Sequence, residues 1–302
     1  MSIAITGGTG FVGRVLIDRA LASGVTVRAL ARQPQEPREG VEWIVGDLGD
    51  TGALAELVAG TRAVIHVAGL VNAPDPCQFE AANVSGTLAI LQAAMAEMVP
   101  RFVFVSSLSA REPDLSAYGL SKAQAERLVR ASAIDWTIVR PPAVYGPGDR
   151  EMFELFRAAK WGVVPVPAEG RASMIHVDDL ARLLLALVPA GEGVSHRTFE
   201  PDDGRPGGWD HAELAQALGA AVGRKPRVLR LSRKTMDRAA KVDGWLRRDK
   251  AKLTPDRVGY MCHPDWVVSE GARVPAGIWQ PDIETHEGLT ATARWYREQG
   301  WL

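Results

Sequence analysis

The chain opens on short apolar runs, separated by longer stretches in which apolar residues recur every three or four positions. Ile3-Ala4-Ile5 reads as a strand, and Phe11, Val12, Val15, Leu16 and Ala20 fall on one face of a helix over 11–23 that stops at Gly24. Further apolar runs predict strands at 25–30, 42–45, 63–67, 102–105 and 136–139; helical spacing predicts helices at 54–59, 78–98 and 118–132. Strands that are apolar on both faces must be covered on both faces. The alternation therefore predicts an α/β fold, a doubly wound parallel sheet whose ligands sit at the carboxyl ends of the strands.

Beyond Pro147 the pattern loosens. Helices are expected at 151–159, 177–188, 211–222, 232–246 and 288–299, a short strand at 173–176, and a loop at 200–208, which is rich in Pro, Gly and Asp. This reading divides the chain into a main unit of residues 1–150, rejoined by about 173–200, and a smaller C-terminal lobe from 151–172 and 201–302 that would hold the substrate. Most of the nine tryptophans lie after residue 160, which implies either an aromatic pocket or an aromatic core there.

The net charge is −1 over 302 residues, so bulk charge names neither nucleic acid nor an anionic membrane as a partner. Two cysteines, Cys77 and Cys262, cannot make a disulfide framework or a structural zinc site. No run of ~18 apolar residues predicts a membrane span, and the first residues already read as a strand. A cytoplasmic protein with a small-molecule substrate is expected; a homodimer is left open.

Thr6-Gly7-Gly8-Thr9-Gly10-Phe11-Val12-Gly13 follows the first strand and opens the first helix. Gly7 permits a tight turn, Gly10 lets the backbone approach a diphosphate, and Gly13 lets helix and strand pack closely; the helix N-terminus supplies amide donors. Thr9, Phe11 and Val12 complete this cofactor-binding turn. NAD-binding versions usually end the second strand on an acidic residue that bonds the ribose. Here Ala31 stands there and Arg32 follows, with Arg28 inside the strand. An arginine can pair with a 2′-phosphate, so NADP(H) is favoured over NAD(H). After the third strand, Asp47 could accept from the adenine amino group while Leu48 packs on the ring; the alternative for Asp47 is a helix cap before Thr51.

Tyr118 and Lys122 are four apart and share one helix face, and Ser106 and Ser107 end the strand before them. Hydride transfer to a carbonyl leaves an alkoxide that needs a proton. A phenol serves as base in the reverse direction if its pKa falls from about 10 toward neutrality, ~3 units or ~4 kcal/mol. A lysine one turn away favours the phenolate by charge, and a serine hydroxyl can bond the substrate oxygen.

With these motifs in order the chain resembles the extended or atypical short-chain dehydrogenase/reductase family, which is epimerase/dehydratase-like and has a Rossmann fold. The resemblance also rests on Gly46-Asp47-Leu48, His66-Val67-Ala68-Gly69, Asn83-Val84-Ser85-Gly86-Thr87, Val105-Ser106-Ser107, the run from Arg140 to Asp149, Ile175-His176-Val177-Asp178-Asp179, and an ending with Trp279-Gln280-Pro281, Gly288-Leu289 and Trp295-Tyr296. It implies Ser107 as the catalytic serine, Tyr118 as acid/base and Lys122 as its partner, which would also hold the cofactor. It implies Ser106 beside the cofactor, Val67, Ala68 and Gly69 on the adenosine and diphosphate side, and Pro142, Ala143 and Val144 at the nicotinamide. Asn83 would position the lysine through water. His66 reads as a packed structural residue. The run at His176 would brace the two lobes, with Asp178 capping the next helix.

The family's sugar dehydratases carry an Asp-Glu pair where this chain has Leu108-Ser109. Its nucleotide-sugar enzymes usually have an asparagine where Ala143 stands, and they need cations that Arg140, Arg150, Arg157 and Arg171 could supply. Its epimerases usually keep NAD and the acidic second-strand end. The expectation is an NADP(H)-dependent oxidoreductase interconverting a ketone and a secondary alcohol on a partly apolar molecule. A nucleotide-sugar epimerase and a noncatalytic NADP(H)-binding regulatory or assembly protein are the alternatives.

Overall fold

A computed structural model describes residues 2–73, 75–248, 251 and 253–302. In chain order the first elements are β1 (Ser2–Thr6), α1 (Phe11–Ala22), β2 (Thr26–Ala31), β3 (Val41–Val45), α2 (Thr51–Val58), β4 (Val64–His66), α3 (Pro76–Phe79), α4 (Gly86–Ala96), β5 (Arg101–Val105), α5 (Ala117–Ala131) and β6 (Asp135–Val139). There follow β7 (Ala143–Tyr145), α6 (Phe153–Trp161), β8 (Val163–Pro167), β9 (Arg171–Ala172), β10 (Met174–His176), α7 (Val177–Ala186), β11 (Arg197–Phe199), β12 (Trp209–Asp210), α8 (His211–Val222), β13 (Arg227–Leu231), α9 (Arg233–Arg247), α10 (Pro255–Met261), β14 (Asp265–Trp266) and α11 (Thr285–Glu298).

Seven strands form one sheet in the order β11-β6-β5-β4-β1-β2-β3, every pair parallel. Successive residues of β1 feed opposite cores, as a pleated strand requires. Ile3 and Ile5 pack with Leu16 and Ile17 of α1 and with Leu180, Leu183 and Leu184 of α7. Ala4 packs with Leu54, Leu57, Ile90, Leu91 and Val129 from the helices on the other face. The strand order reverses between β1 and β4, so the loops after these strands diverge and open the crevice where ligands bind in such sheets.

The pattern of apolar residues predicts six of the seven strands. The seventh, β11, has three residues and a single buried apolar side chain, Phe199, too little for periodicity to register. The helix expected over 78–98 is divided into α3, a π-type turn at Glu80–Ser85, and α4. The wide turn sits where Gly86 meets Leu48: a Cβ on Gly86 would lie 2.6 Å from Leu48 Cδ1. Three further small sheets, β10-β7, β12-β9-β14 and β13-β8, lie outside the main one.

Arg101 is buried at the start of β5 and bolts three segments together. Its guanidinium donates to Asp135 Oδ1 at 2.8 Å, to Thr137 Oγ1 and, at 2.9 Å, to the Leu187 carbonyl beyond α7. Replacing Arg101 by Met would leave the carboxylate and the carbonyl without their donor. The expected cost is about 3–5 kcal/mol in urea unfolding, with the cofactor-site residues untouched; a loss below ~1 kcal/mol would show that the bolt contributes little.

Candidate active site

The glycine turn is shaped by two close approaches. Gly7 has φ +73°, and a Cβ there would lie 2.8 Å from Ala68 N. A Cβ on Gly13 would lie 2.1 Å from the Gly7 carbonyl oxygen, so the helix can start only where side chains are missing. Gly10 differs. It caps α1 with φ −78° and ψ 176°, which any residue adopts, and its Cβ would meet only the Gly7 carbonyl, at 3.2 Å. Beyond that oxygen the space at Gly10 is open. The first turn of α1 has no side-chain cap and no acidic residue, so its amides face that space with a favourable dipole for an anion.

The end of β4 is tied to this turn by a one-way chain of hydrogen bonds. Ala68 N donates to Thr6 Oγ1, Thr6 Oγ1 to His66 Nδ1 at 2.6 Å, His66 Nε2 to Thr87 Oγ1 at 3.0 Å, and Thr87 Oγ1 to the Asn83 carbonyl at 2.6 Å. Because Thr87 spends its hydrogen on that carbonyl, His66 must carry its proton on Nε2 and accept at Nδ1. Complete burial, with Lys122 nearby, holds the ring neutral, its pKa lowered to about 3. His66 stacks on Phe104 and faces no crevice.

Asn83 works through its own side chain. Oδ1 accepts from Leu70 N at 2.7 Å, and Nδ2 donates to the Leu70 carbonyl and to Ser121 Oγ. Ser121 in turn donates to the Tyr118 carbonyl. The asparagine thus staples the loop after β4 to α5 directly.

Ser116 caps α5 through Gly119 N, which fixes where the helix begins and sets Tyr118 in its first turn. The Tyr118 hydroxyl is close enough to Ser107 for that hydroxyl to lower its pKa. Its ring lies 5.9 Å from that of Phe79 and 6.3 Å from that of Tyr260 on α10. Burial pushes the phenol up to about 12, the Ser107 hydroxyl pulls it down, and Tyr260 adds to the rise. Burial therefore raises the phenol's pKa, whereas the lysine one turn on was expected to lower it. The reason is where the Lys122 ammonium goes. It donates to the Val105 carbonyl at 2.8 Å, lies over the Phe104 ring and is buried, which lowers its pKa to about 8 against the pull of Glu126. A Cβ on Gly69 would sit 3.3 Å from Nζ, so the amine lies just beneath the loop after β4.

Ser107 ends its strand as the cap of a short 3-10 turn, Leu108–Arg111, accepting from Ser109 N. Its neighbour Ser106 is turned away and donates to Glu126 Oε1 at 2.6 Å. Glu126 is gripped bidentately by Arg140 at 2.8 and 2.7 Å; burial would raise its carboxyl, but Arg140 and Ser106 hold it below the usual range. Arg140 and Arg111 both reach Glu200 at 3.3 Å.

The remaining expected cofactor residues ring the same crevice. Arg32 is exposed just past β2 and makes no ion pair among the described residues. Arg28 is committed to Glu42 and to the Ala59 carbonyl. Asp47 is exposed and accepts from Gly49 N; the cap of α2 is Asp50, which accepts from Ala53 N, so Asp47 has no capping role. Leu48 packs on Gly86, and Val67, Ala68 and Gly69 form the partly open strand end facing the glycine turn. Pro142 is part-buried, Ala143 is exposed, and Val144 pairs with Ile175. At the start of α7 the cap is His176, not Asp178: His176 Nδ1 accepts from Asp178 N, and Asp178 pairs with Arg19 of α1. Asp179 accepts from the backbone of Asp282 and Ile283. Tyr260 was not foreseen, although Thr254-Pro255 signals its helix: Thr254 caps it through Arg257 N, and Pro255 occupies its first turn.

A glycine turn against a helix start and a serine-tyrosine-lysine set at neighbouring strand ends define a dinucleotide-dependent enzyme. Residues 3–200 match the NAD dependent epimerase/dehydratase family. The chain belongs to that family, within the extended short-chain dehydrogenase/reductases, and is an NAD(P)-dependent oxidoreductase. It is 39% identical over 317 residues to a ceramide reductase of Caulobacter vibrioides, covering 99% of this chain and 96% of that protein. It is 31% identical over 328 residues to a 2-alkyl-3-oxoalkanoate reductase of Stenotrophomonas maltophilia, covering 96% and 97%. Among solved structures, MoeE5 in complex with UDP-glucose and NAD shares the fold with a TM-score of 0.76 at 23% identity, covering 99% of each chain.

Gly10→Ala separates fold from binding. Its Cβ meets little within the protein yet enters the space where a diphosphate is expected. The variant is expected to melt within a few degrees of the parent while affinity for the reduced nicotinamide dinucleotide, titrated by its fluorescence, falls about tenfold or more. Unchanged affinity would remove the diphosphate from this turn.

Proposed function

We propose that the protein is an NADP(H)-dependent reductase of a ketone carried on a long-chain, lipid-like molecule. The observation that carries this reading is Tyr118, placed in the first turn of α5 near Ser107 and walled by the rings of Phe79 and Tyr260. That arrangement pairs a proton donor and a carbonyl-binding hydroxyl with apolar surroundings. The curated relatives that match over nearly the full chain are named for reducing a ceramide and a 2-alkyl-3-oxoalkanoate, both lipid-like.

The open glycine turn, the uncapped start of α1 and the loop after β4 fit a nicotinamide dinucleotide, which when bound supplies the hydride. Ser107 donates a hydrogen bond to the substrate carbonyl oxygen. Tyr118 gives its proton to that oxygen as it gains negative charge, and a phenol that is fully protonated at pH 7 is ready for reduction. Lys122, held from below by Val105, keeps a positive charge near the ribose and the phenol, and so favours the phenolate left after proton transfer. Arg32 meets the 2′-phosphate.

The arginines that a sugar diphosphate would need are already engaged. Arg140 is held by Glu126 and Glu200, Arg157 pairs with Glu154, Arg171 donates to the Gly207 and Gly208 carbonyls, and Arg150 lies over the Trp301 ring. This supports the reductase over the epimerase.

The test follows NADPH consumption on a panel of β-keto lipids, with UDP-glucose as comparison. Reduction of a keto lipid is expected, falling about a hundred- to ten-thousand-fold in Tyr118→Phe while NADPH still binds. Conversion of the nucleotide sugar without net cofactor change, or full activity in Tyr118→Phe, would overturn the reading. Arg32→Ala is expected to weaken NADPH about ten- to a hundredfold and to leave NADH unchanged; equal effects on both would remove the 2′-phosphate contact.

A further inference from the structure

The charge total of −1 conceals an uneven distribution. Between residues 224 and 248 stand ten lysines and arginines against two aspartates, a surplus of eight positive charges in a nearly neutral chain. This segment is β13 and α9. The helix buries Met236 and Ala240 against Val258 of α10. Its other side is apolar as well. Val242 is 55% exposed, Trp245 80% and Leu246 66%. At 100° per residue, Ala239, Val242 and Leu246 form one stripe, with Trp245 on its edge beside Arg238, Lys241 and Lys234. All of these side chains are exposed.

The paired strands just before α9 repeat the pattern. Val163 faces Arg227 and Pro165 faces Leu229 across the β8–β13 ladder, so each pair shares the exposed face. Trp161, at the end of α6, is 77% exposed, with Arg157 over its ring.

We propose that α9 docks the enzyme on an anionic lipid surface. Exposed Trp, Leu and Val beside Lys and Arg are what an interfacial helix needs. The apolar stripe enters the acyl boundary, the indole sits at headgroup depth, and the cations meet anionic headgroups. A second copy would satisfy the apolar stripe but would bring the same positive surplus against it, a surplus that remains with Arg230 paired to Asp210. The helix is also well placed for use. Its buried face packs on α10, and α10 carries Tyr260, whose ring lies beside Tyr118. α9 is thus the outer helix of a pair whose inner helix walls the reacting group. Docking stands on this surface alone; its purpose, passing a lipid ketone to Tyr118 from the bilayer, rests on the function proposed above.

The experiment is co-sedimentation of the full chain with vesicles of equal phosphatidylglycerol and phosphatidylcholine, and with vesicles of phosphatidylcholine alone. The protein should pellet with the anionic vesicles, much less with the neutral ones, and be released by high salt. Joint Trp245→Ala and Leu246→Ala substitution should lower the partition coefficient about tenfold, and joint Arg238→Glu and Lys241→Glu at least as much. All four side chains are exposed, so the melting temperature of each double variant should match the parent. Partition that ignores both pairs of substitutions, or absence of partition onto anionic vesicles, overturns docking. So does a dimer that the Trp245 and Leu246 substitutions dissolve without any vesicle binding by the parent. Vesicle binding does not depend on turnover, so loss of the proposed reaction and loss of docking are read separately.

Discussion

The site depends on one buried ring staying neutral. His66 must accept from Thr6 and donate to Thr87 for the chain of hydrogen bonds from the glycine turn to Asn83 to close. A protonated ring would place two donors where one acceptor and one donor are required, leaving the Thr6 hydroxyl facing an N–H. Burial against Phe102 and Phe104, with the Lys122 ammonium nearby, enforces the neutral form. The chain then continues through the Asn83 side chain to Ser121 and the Tyr118 carbonyl. One polarised run therefore joins the glycine turn to the helix turn that holds the phenol. On the proposed function, this run would hold cofactor and substrate at a fixed distance.

A second buried network sets the other side. Glu126 takes Ser106, Arg140 and Arg130, while Glu200 takes Arg140, Arg111 and the Ser269 amide. Turning Ser106 inward leaves Ser107 as the hydroxyl that meets Tyr118. The same network couples the end of β5 to residues beyond β11, so the wall bearing Tyr260 is anchored to the sheet: Arg111 reaches the Asp265 and Val267 carbonyls, and Asp256 accepts from the Ala117 amide ahead of Tyr118. Buried ion pairs of this kind contribute little net stability, but breaking one leaves a charge without its partner, which fixes their arrangement.

What the sequence made legible follows from how local each signal is. The glycine turn, the first six strands and the helix 211–222 are written in contiguous residues, and each forms where its pattern lies. Gly10 and Gly13 could be told apart in kind, but only the packed structure separates a glycine that the fold requires from one left open to a ligand. The role of Asn83 was legible as a neighbour of the lysine and not as a staple to Leu70 and Ser121, because its partners lie 13 and 38 residues away. The cap of α7 was misassigned to Asp178, since aspartate is the commoner cap; Arg19, far off on α1, claims that carboxylate and leaves His176 to take the amide. The tryptophans meet the core expectation only in part: Trp209 and Trp279 are core, while Trp161 and Trp245 stand in solvent, in neither a core nor a pocket.

That split bears on how an enzyme of this fold meets a substrate that barely dissolves. A lipid ketone leaves a bilayer only against its full apolar transfer free energy, roughly 0.8 kcal/mol for each methylene. An enzyme that waited in solution would wait for a rare monomer. The crevice between β1 and β4 is common to the family and can bind a dinucleotide whatever the substrate, so adaptation to a lipid falls on the elements that cover it. Here those elements carry Tyr260 on their inner side and Trp245, Leu246 and the basic side chains on their outer side. The two sides are joined through Met236, Ala240 and Val258, with Leu231, Leu253, Met261 and Cys262 packed around them. If the proposed substrate and docking hold, the acyl chains need never be fully hydrated: the surface that would attract the enzyme and the wall beside Tyr118 are two faces of one helical pair.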